Sequence, residues 1–212
     1  MDIAYILGNG SLASNEEIRY SLRSIHRHML DIGKVYVVGE KPEFLRDIKH
    51  IACDDTHEEK WKNAFDKVRI ACLEDNLSKD FLLMNDDFFA NNDFKGDELP
   101  YYAIPNIDGG CNGKYHFGIH APIQINKELY LQIPLNTDLK GDWSPRSFYS
   151  NFYRAKPTFT KDFVIRSGEG MSGYDEQVKG APFYSIDNHT MTVPEFATWV
   201  QEKLPEPSPW EL

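Results

Sequence analysis

Short apolar runs and amphipathic stretches alternate through the first half of the chain. Residues 3–7 are an apolar run ended by Gly8-Asn9-Gly10, which predicts a first strand and a tight turn. Ser14-Asn15-Glu16-Glu17 then reads as a helix start, with small polar caps and acids that suit the positive helix end. Ile18, Leu22, Ile25 and Met29 follow at spacings of four, three and four, which places them on one helical face. Residues 34–39 are rich in valine and predict a second strand; 42–45 read as a turn or short helix, and 49–53 as a weaker strand. Trp61, Phe65, Val68 and Cys72 repeat the four-three-four step, so a second amphipathic helix is predicted near 58–75. Phe81-Leu82-Leu83-Met84 is a short apolar run of the kind buried in parallel sheets. The order β-α-β-β-α-β predicts an α/β fold with a doubly wound, Rossmann-like sheet.

The second half is less regular. Residues 100–118 are rich in Gly, Pro, Asn and Tyr and read as loop. Short helices are expected at 126–133 and 145–155, and strands at 163–166 and 183–186. A helix is expected at 193–204 with Pro194 in its first turn, followed by a proline-rich tail that cannot be regular helix or sheet. Neither an internal repeat nor a linker is visible. The expected organisation is one domain over 1–212, with a nucleotide-binding half at 1–95 and an acceptor and catalytic half at 96–212.

Composition narrows this picture in three ways. The chain has 212 residues, 41% hydrophobic and 26% charged, which is ordinary for a globular protein. A formal net charge of −10 argues against gripping nucleic-acid phosphates over a wide face. The cysteines, Cys53, Cys72 and Cys111, are odd in number and form no CxxC pair, so neither a disulfide scaffold nor a zinc site is expected. No segment approaches the ~20 apolar residues of a membrane span. The first residues carry no basic region, and their apolar run is too short for a secretion signal. A cytoplasmic, reducing setting is the expectation.

The candidate chemistry lies where apolar runs end. Asn85-Asp86-Asp87 follows the residue 81–84 run, at the strand end where open α/β sheets bind ligands. Adjacent carboxylates repel, so they need a cation, a proton or strong hydrogen bonds; Mg²⁺ or Mn²⁺ holding a diphosphate is the simplest resolution, and a polar capping turn the alternative. Gly8-Asn9-Gly10-Ser11 joins the first strand and helix, where backbone N–H groups would approach a phosphate or ribose, unless it is an ordinary tight turn. It is neither a Walker loop nor GxGxxG. Arg19, Arg23 and Arg27 form a basic stripe off the apolar face, either solvated or reaching a diphosphate. His116 and His120 bracket Phe117-Gly118-Ile119 without the glutamate of a zinc protease motif; one of them is either an acid/base or a structural loop histidine. Asp187-Asn188-His189 forms a second polar cluster at a strand end, either converging with the first on one metal-diphosphate or capping a turn.

Four stretches together resemble the Stealth family of sugar-phosphate transferases. These proteins make phosphodiester-linked capsular polysaccharides in bacteria, and an animal relative adds N-acetylglucosamine-1-phosphate to lysosomal glycans. Asp2-Ile3-Ala4-Tyr5 with Gly8-Asn9-Gly10-Ser11 resembles the opening block. Asn15-Glu16-Glu17-Ile18-Arg19-Tyr20-Ser21-Leu22-Arg23 and Met84-Asn85-Asp86-Asp87-Phe88-Phe89 resemble the second and most specific block. His120-Ala121-Pro122 resembles the third, and Ile186-Asp187-Asn188 with the proline-rich ending the fourth. Ile6-Leu7 stands where the family has Thr-Trp, and only Arg146 or Arg154 is placed to be the basic residue expected after the third block. The chain thus resembles a minimal version of the family, and its core also resembles metal-dependent, glycosyltransferase-A-like enzymes.

The resemblance implies a metal-dependent transferase with a nucleotide-sugar donor, most simply a UDP-sugar, moving sugar-1-phosphate to an acceptor hydroxyl. Asp86, Asp87 and Asn188 would hold Mg²⁺ or Mn²⁺. Gly8, Asn9, Gly10, Arg19, Arg23 and Asn85 would bind the donor. Asp87, His120, Asp187 and Arg19 would carry catalysis. Two alternatives stay open at this point. One is transfer of the sugar alone, to a glycan or to modified DNA along a track of Lys114, Arg146, Arg154, Lys156 and Lys161. The other is a non-catalytic sugar binder that stacks on Tyr101, Tyr102, Trp143 or Trp199.

Overall fold

The structure is a computed structural model that describes residues 1–105, 115–134, 144–168 and 173–212. Cys111, Lys114, Trp143 and part of the predicted 100–118 loop lie outside them.

The first half folds as its pattern predicts. Strand β1 (Asp2–Leu7) leads through the Gly8 turn to helix α1 (Glu16–His28), then β2 (Val35–Gly39), β3 (Lys49–Ile51), α2 (Lys60–Leu73) and β4 (Asp80–Asn85). The strands lie in the order β3-β2-β1-β4 with all pairs parallel, and β8 (Ile123–Asn126) adds an antiparallel edge beside β4. Alternation along each strand sorts the two faces. Ile3, Tyr5, Leu7, Leu82 and Met84 pack against Ile18, Leu22 and Ile25 of α1. Ala4, Ile6, Tyr36, Phe81 and Leu83 pack against Phe65, Val68 and Cys72 of α2. Both sides of the sheet are covered, which explains why β1 and β2 are buried throughout, and apolar from Ile3 to Leu7 and from Val35 to Val38, rather than alternating. Gly39 closes β2 with φ +113, and a Cβ there would lie 2.0 Å from the Leu7 carbonyl oxygen.

The chain leaves this sheet at Asn85 and enters a second one at Phe88. Strand β5 (Phe88–Ala90) pairs antiparallel with β11 (Phe183–Ile186), which pairs parallel with β10 (Val164–Ile165). Two buried serines on α1 hold β5: Ser24 Oγ accepts from Ala90 N at 2.9 Å, and Ser21 Oγ donates to the Phe88 carbonyl. Helix α6 (Pro194–Lys203), with Pro194 in its first turn, covers this sheet through Phe196 and Val200. Strands β6 (Tyr101–Pro105), β7 (Tyr115–His116) and β9 (Pro157–Phe159) form a third sheet in the order β7-β6-β9. The described parts of the predicted 100–118 loop are therefore strand as well as loop. Short helices α3 (Lys127–Leu131), α4 (Pro145–Phe152) and α5 (Tyr174–Gln177) complete the carboxyl half.

Two local expectations change. Asn15 does not cap α1 with its side chain; it takes a left-handed conformation (φ 63), and Ser11 Oγ instead accepts from its backbone N at 2.8 Å. Strand β8, absent from the sequence reading, completes the main sheet because Ile123 and Ile125 point into the α2-side core while Gln124 and Asn126 do not.

Candidate active site

A cavity of about 560 Å³ opens at the carboxyl ends of β1 and β4, within the range of small-molecule sites. One wall is the turn after β1, formed by Gly8, Asn9, Gly10 and Ser11. Opposite lies the elbow between the first two sheets, Asn85, Asp86 and Asp87. Asp187 and Asn188, after β11, close a third side. The two polar clusters expected on one sheet edge thus meet, but from two different sheets.

The elbow is strongly electrostatic. Burial, followed by the charges of Asp87 and Glu17, pushes the Asp86 carboxyl up to about 8. Burial also raises Asp87, against the opposing influence of His120 and Arg146. Asp87 Oδ1 is buried without a hydrogen-bond partner. Glu17 is 5% exposed, accepts from Ser11 Oγ at 2.8 Å, and adds a third carboxyl group to the wall.

Arg146 lies behind this acidic wall, 6% exposed, on α4. Its Nη1 donates to Asn85 Oδ1 at 2.8 Å, and its guanidinium lies 4.7 Å over the Phe88 ring. Burial lowers Arg146 to about 10, and the nearby Asp87 and Asp162 carboxylates act against that shift. A guanidinium can only donate, so Asn85 turns its oxygen to Arg146. The buried position also removes Arg146 from any surface DNA track.

Lys67 lines the cavity beside the Gly8 turn, 4% exposed and paired with Asp55. Asn63, one helical turn earlier, holds the preceding loop by accepting from Thr56 N and His57 N at 3.1 and 2.9 Å. Lys67, Asp55 and Glu17 were not singled out as site residues. Their signals were faint: a polar pair four apart inside an amphipathic helix, and an acid read as a helix-start residue.

Three expected site residues are differently engaged. Arg19 and Arg23 do not line the cavity. Arg19 Nη1 and Arg23 Nη2 donate to Glu211 Oε2 at 3.1 and 2.8 Å, and Arg19 lies 3.8 Å over the Phe44 ring. Arg23 and Arg27 also donate to the Leu204 and Lys203 carbonyls. The stripe is a clamp on the carboxyl-terminal segment; its spacing marks a shared face but carries no information about a partner 188 residues away. Asp187 lines the cavity with both oxygens occupied, Oδ2 by Ser167 N and Oγ, and Oδ1 by His189 N, Thr190 N and Thr190 Oγ1. Burial pushes its carboxyl up, but those hydrogen bonds prevail and hold it below the usual range. It is an ionised turn cap; Asn188 beside it also lines the cavity.

His120 lies on the flank rather than in the cavity wall, edge-on to Phe88 with ring centroids 5.9 Å apart. Asp162 holds its ring through Nδ1 at 2.9 Å. Two of the candidate stacking aromatics belong to the packing: Tyr102 meets Phe183, and Trp199 packs on Tyr174 and Phe196. Tyr101 is half-buried and donates to the Gln124 carbonyl.

Among the described residues no helix is long and apolar enough to cross a membrane. No protein-family model matches the sequence, and no curated protein matches it significantly. The structure is similar to that of an active-site mutant of LgtC, a glycosyltransferase of GT-A fold, with TM-score 0.57 and 12% identity over 97% of both chains. At that identity the likeness establishes a mixed α/β, GT-A-like fold. The resemblance to the Stealth family rests on the residues quoted for it.

Proposed function

We propose that this chain is a transferase that uses a nucleotide-sugar donor, with the donor seated in the cavity between the Gly8 turn and the Asp86-Asp87 elbow. The observation that carries this reading is the meeting of that backbone-rich turn with two half-buried carboxylates, one of which has a buried, unpartnered oxygen. The GT-A-like fold and its glycosyltransferase neighbour agree with it.

The donor set fits a hard divalent cation such as Mg²⁺ or Mn²⁺. Asp87 Oδ1 lacks a partner, and burial together with the Asp87 and Glu17 charges raises the Asp86 carboxyl, which a bound cation would offset. Among the described residues no three His, Cys, Asp or Glu side chains are grouped to hold a metal. Magnesium suits such a place, because it takes one or two carboxylates and fills its other positions with water and substrate phosphate. Asp86 and Asp87 would hold it, with Asn188 nearby. When bound, it supplies positive charge to the donor diphosphate.

The remaining steps belong to the protein. Backbone N–H groups of Gly8, Asn9 and Gly10 line the nucleotide. Asn85 donates from Nδ2 to a donor oxygen. Lys67, paired with Asp55, supplies positive charge beside the Gly8 turn. His120 takes the proton from an acceptor hydroxyl.

Two versions share this donor clamp. The likeness to a glycosyltransferase favours attack of the acceptor oxygen at the anomeric carbon, with a nucleoside diphosphate leaving. The Stealth-like blocks favour attack at the phosphorus bearing the sugar, with a nucleoside monophosphate leaving. Phosphorus NMR with Mg²⁺, UDP-, GDP- and CDP-sugars and simple sugar acceptors tests both. Nucleoside diphosphate release identifies sugar transfer, and monophosphate release with a new phosphodiester identifies sugar-phosphate transfer. Binding of a nucleotide-sugar without turnover against any acceptor, and with the same affinity in Asp87→Ala, refutes the transferase reading in favour of a sugar-binding module.

A further inference from the structure

We propose that Asp162 is the positioning residue for His120: it holds the imidazole with the proton on Nδ1, so that Nε2 is the atom that accepts the proton of the acceptor hydroxyl. This assignment rests on the transferase reading above. Nothing in the sequence connects the two residues, which are 42 positions apart.

The contact is more than one hydrogen bond. His120 Nδ1 lies 2.9 Å from Asp162 Oδ2 and 3.1 Å from Oδ1, and the His120 backbone N donates to Oδ1 at 2.9 Å. One carboxylate therefore fixes both the main chain and the ring of the histidine. The carboxylate is itself held in place by its neighbours. Thr160 N donates to the Ala103 carbonyl at 3.2 Å, tying the segment before Asp162 to β6. Ser185 N donates to the Phe163 carbonyl at 2.9 Å, tying the residue after it to β11. Asp162 thus sits on a short span stretched between the third and second sheets. An acid fixed in this way orients a ring better than one on a loop tip.

Chemistry then settles the tautomer. An ionised carboxylate only accepts hydrogen bonds. Asp162 is kept ionised: burial acts against the charge, but the His120 contacts and the nearby His116 outweigh it. With Nδ1 committed as donor, the neutral ring carries its lone pair on Nε2. The charged groups around His120 are Asp162 on this span and Asp87 at the elbow; Arg146 on α4 interacts with both acids.

The step balances without another reagent. The acceptor O–H bond breaks and its proton moves to Nε2. The acceptor oxygen bonds to the donor carbon or phosphorus. The nucleotide leaves with the electron pair of the broken bond. A purely structural His–Asp contact would hold the same Nδ1–H tautomer, so the kcat loss at unchanged KM in Asp162→Asn is what separates a positioning role from a structural one.

The test uses the full chain with ¹⁵N-labelled histidine. Long-range ¹H–¹⁵N NMR reads the tautomer of His120, assigned with His120→Gln, in wild type, Asp162→Asn and Asp162→Glu. The expected result is an Nδ1–H ring in wild type that shifts toward Nε2–H in Asp162→Asn. In the phosphorus NMR assay, Asp162→Asn should lower kcat at least about 100-fold, within the range for a general base, with KM nearly unchanged. Asp162→Glu should recover part of that loss. An Nε2–H ring in wild type, or an unchanged tautomer and kcat in Asp162→Asn, overturns the assignment. If Asp162→Asn does not fold, the wild-type tautomer and the Asp162→Glu variant still decide it. An Nδ1–H ring in a protein that turns over no nucleotide-sugar supports the pairing and overturns the transferase reading instead.

Discussion

Replacing Glu211 with alanine should loosen the carboxyl-terminal segment and lower the melting temperature without touching the cavity. Glu211 is 3% exposed and accepts from Arg19 Nη1, from Arg23 Nε and Nη2, and from Ser208 N at 2.8 Å. Breaking one side of a fully buried ion pair costs about 3–5 kcal/mol. Here the arginine side chains remain 21% and 12% exposed, so water recovers part of their charge and about 2–3 kcal/mol is the expected loss. At about 2.1 cal/mol/K per residue, the unfolding entropy of a chain this long is about 0.45 kcal/mol/K, which converts the loss to a fall of roughly 4–7 °C. The sign with pH follows from the same contacts. Burial pushes the Glu211 carboxyl up, but the Arg23, Ser208 and Arg19 hydrogen bonds win and lower it below its ordinary 4.5. The clamp is therefore fully present above about pH 4.5 and is lost as pH falls through the lower folded value. Melting curves of wild type and Glu211→Ala by circular dichroism should differ at pH 7 and converge in acid below that window. A difference under about 1 °C at pH 7, or one that grows in acid, would refute the clamp.

Three further outcomes are expected. Asp87→Ala should keep the wild-type circular dichroism spectrum and lose at least about 100-fold in turnover, as removal of an electrostatic stabiliser does; wild-type rates in phosphorus NMR would remove Asp87 from the site. Arg19→Ala should leave donor affinity by calorimetry within about twofold while lowering the melting temperature, because Arg19 serves Glu211; a loss of about 1.5–3 kcal/mol in donor binding would return it to the diphosphate. Gly39→Ala should destabilise by more than about 3 kcal/mol in urea unfolding, since its Cβ would meet the Leu7 oxygen and its φ is positive; a near-neutral effect would show that β2 ends differently.

The first half of the fold was legible because each of its signals is local. The step from Ile18 to Met29 marks one face of α1, and the valines of β2 mark a strand covered on both sides. Asn85-Asp86-Asp87 was visible as an acidic end to an apolar run, and the strand order then required it to lie at a ligand-binding edge. Strand β8 was missed because four residues of alternation are too few to separate from loop.

The sequence alone determined helices α1, α2 and α6, the central parallel strands and the place where two carboxylates would crowd together, since periodicity and strand ends depend on neighbours along the chain. Tertiary structure alone decided the partners. It gave Arg19 and Arg23 to Glu211 and Arg146 to Asn85, filled the oxygens of Asp187, brought Lys67 to the cavity and joined His120 to Asp162. A charged side chain is committed by whichever opposite charge or hydrogen-bond partner folding brings within about 3 Å. That proximity is a property of the packed sheets, which spacing along the chain does not encode.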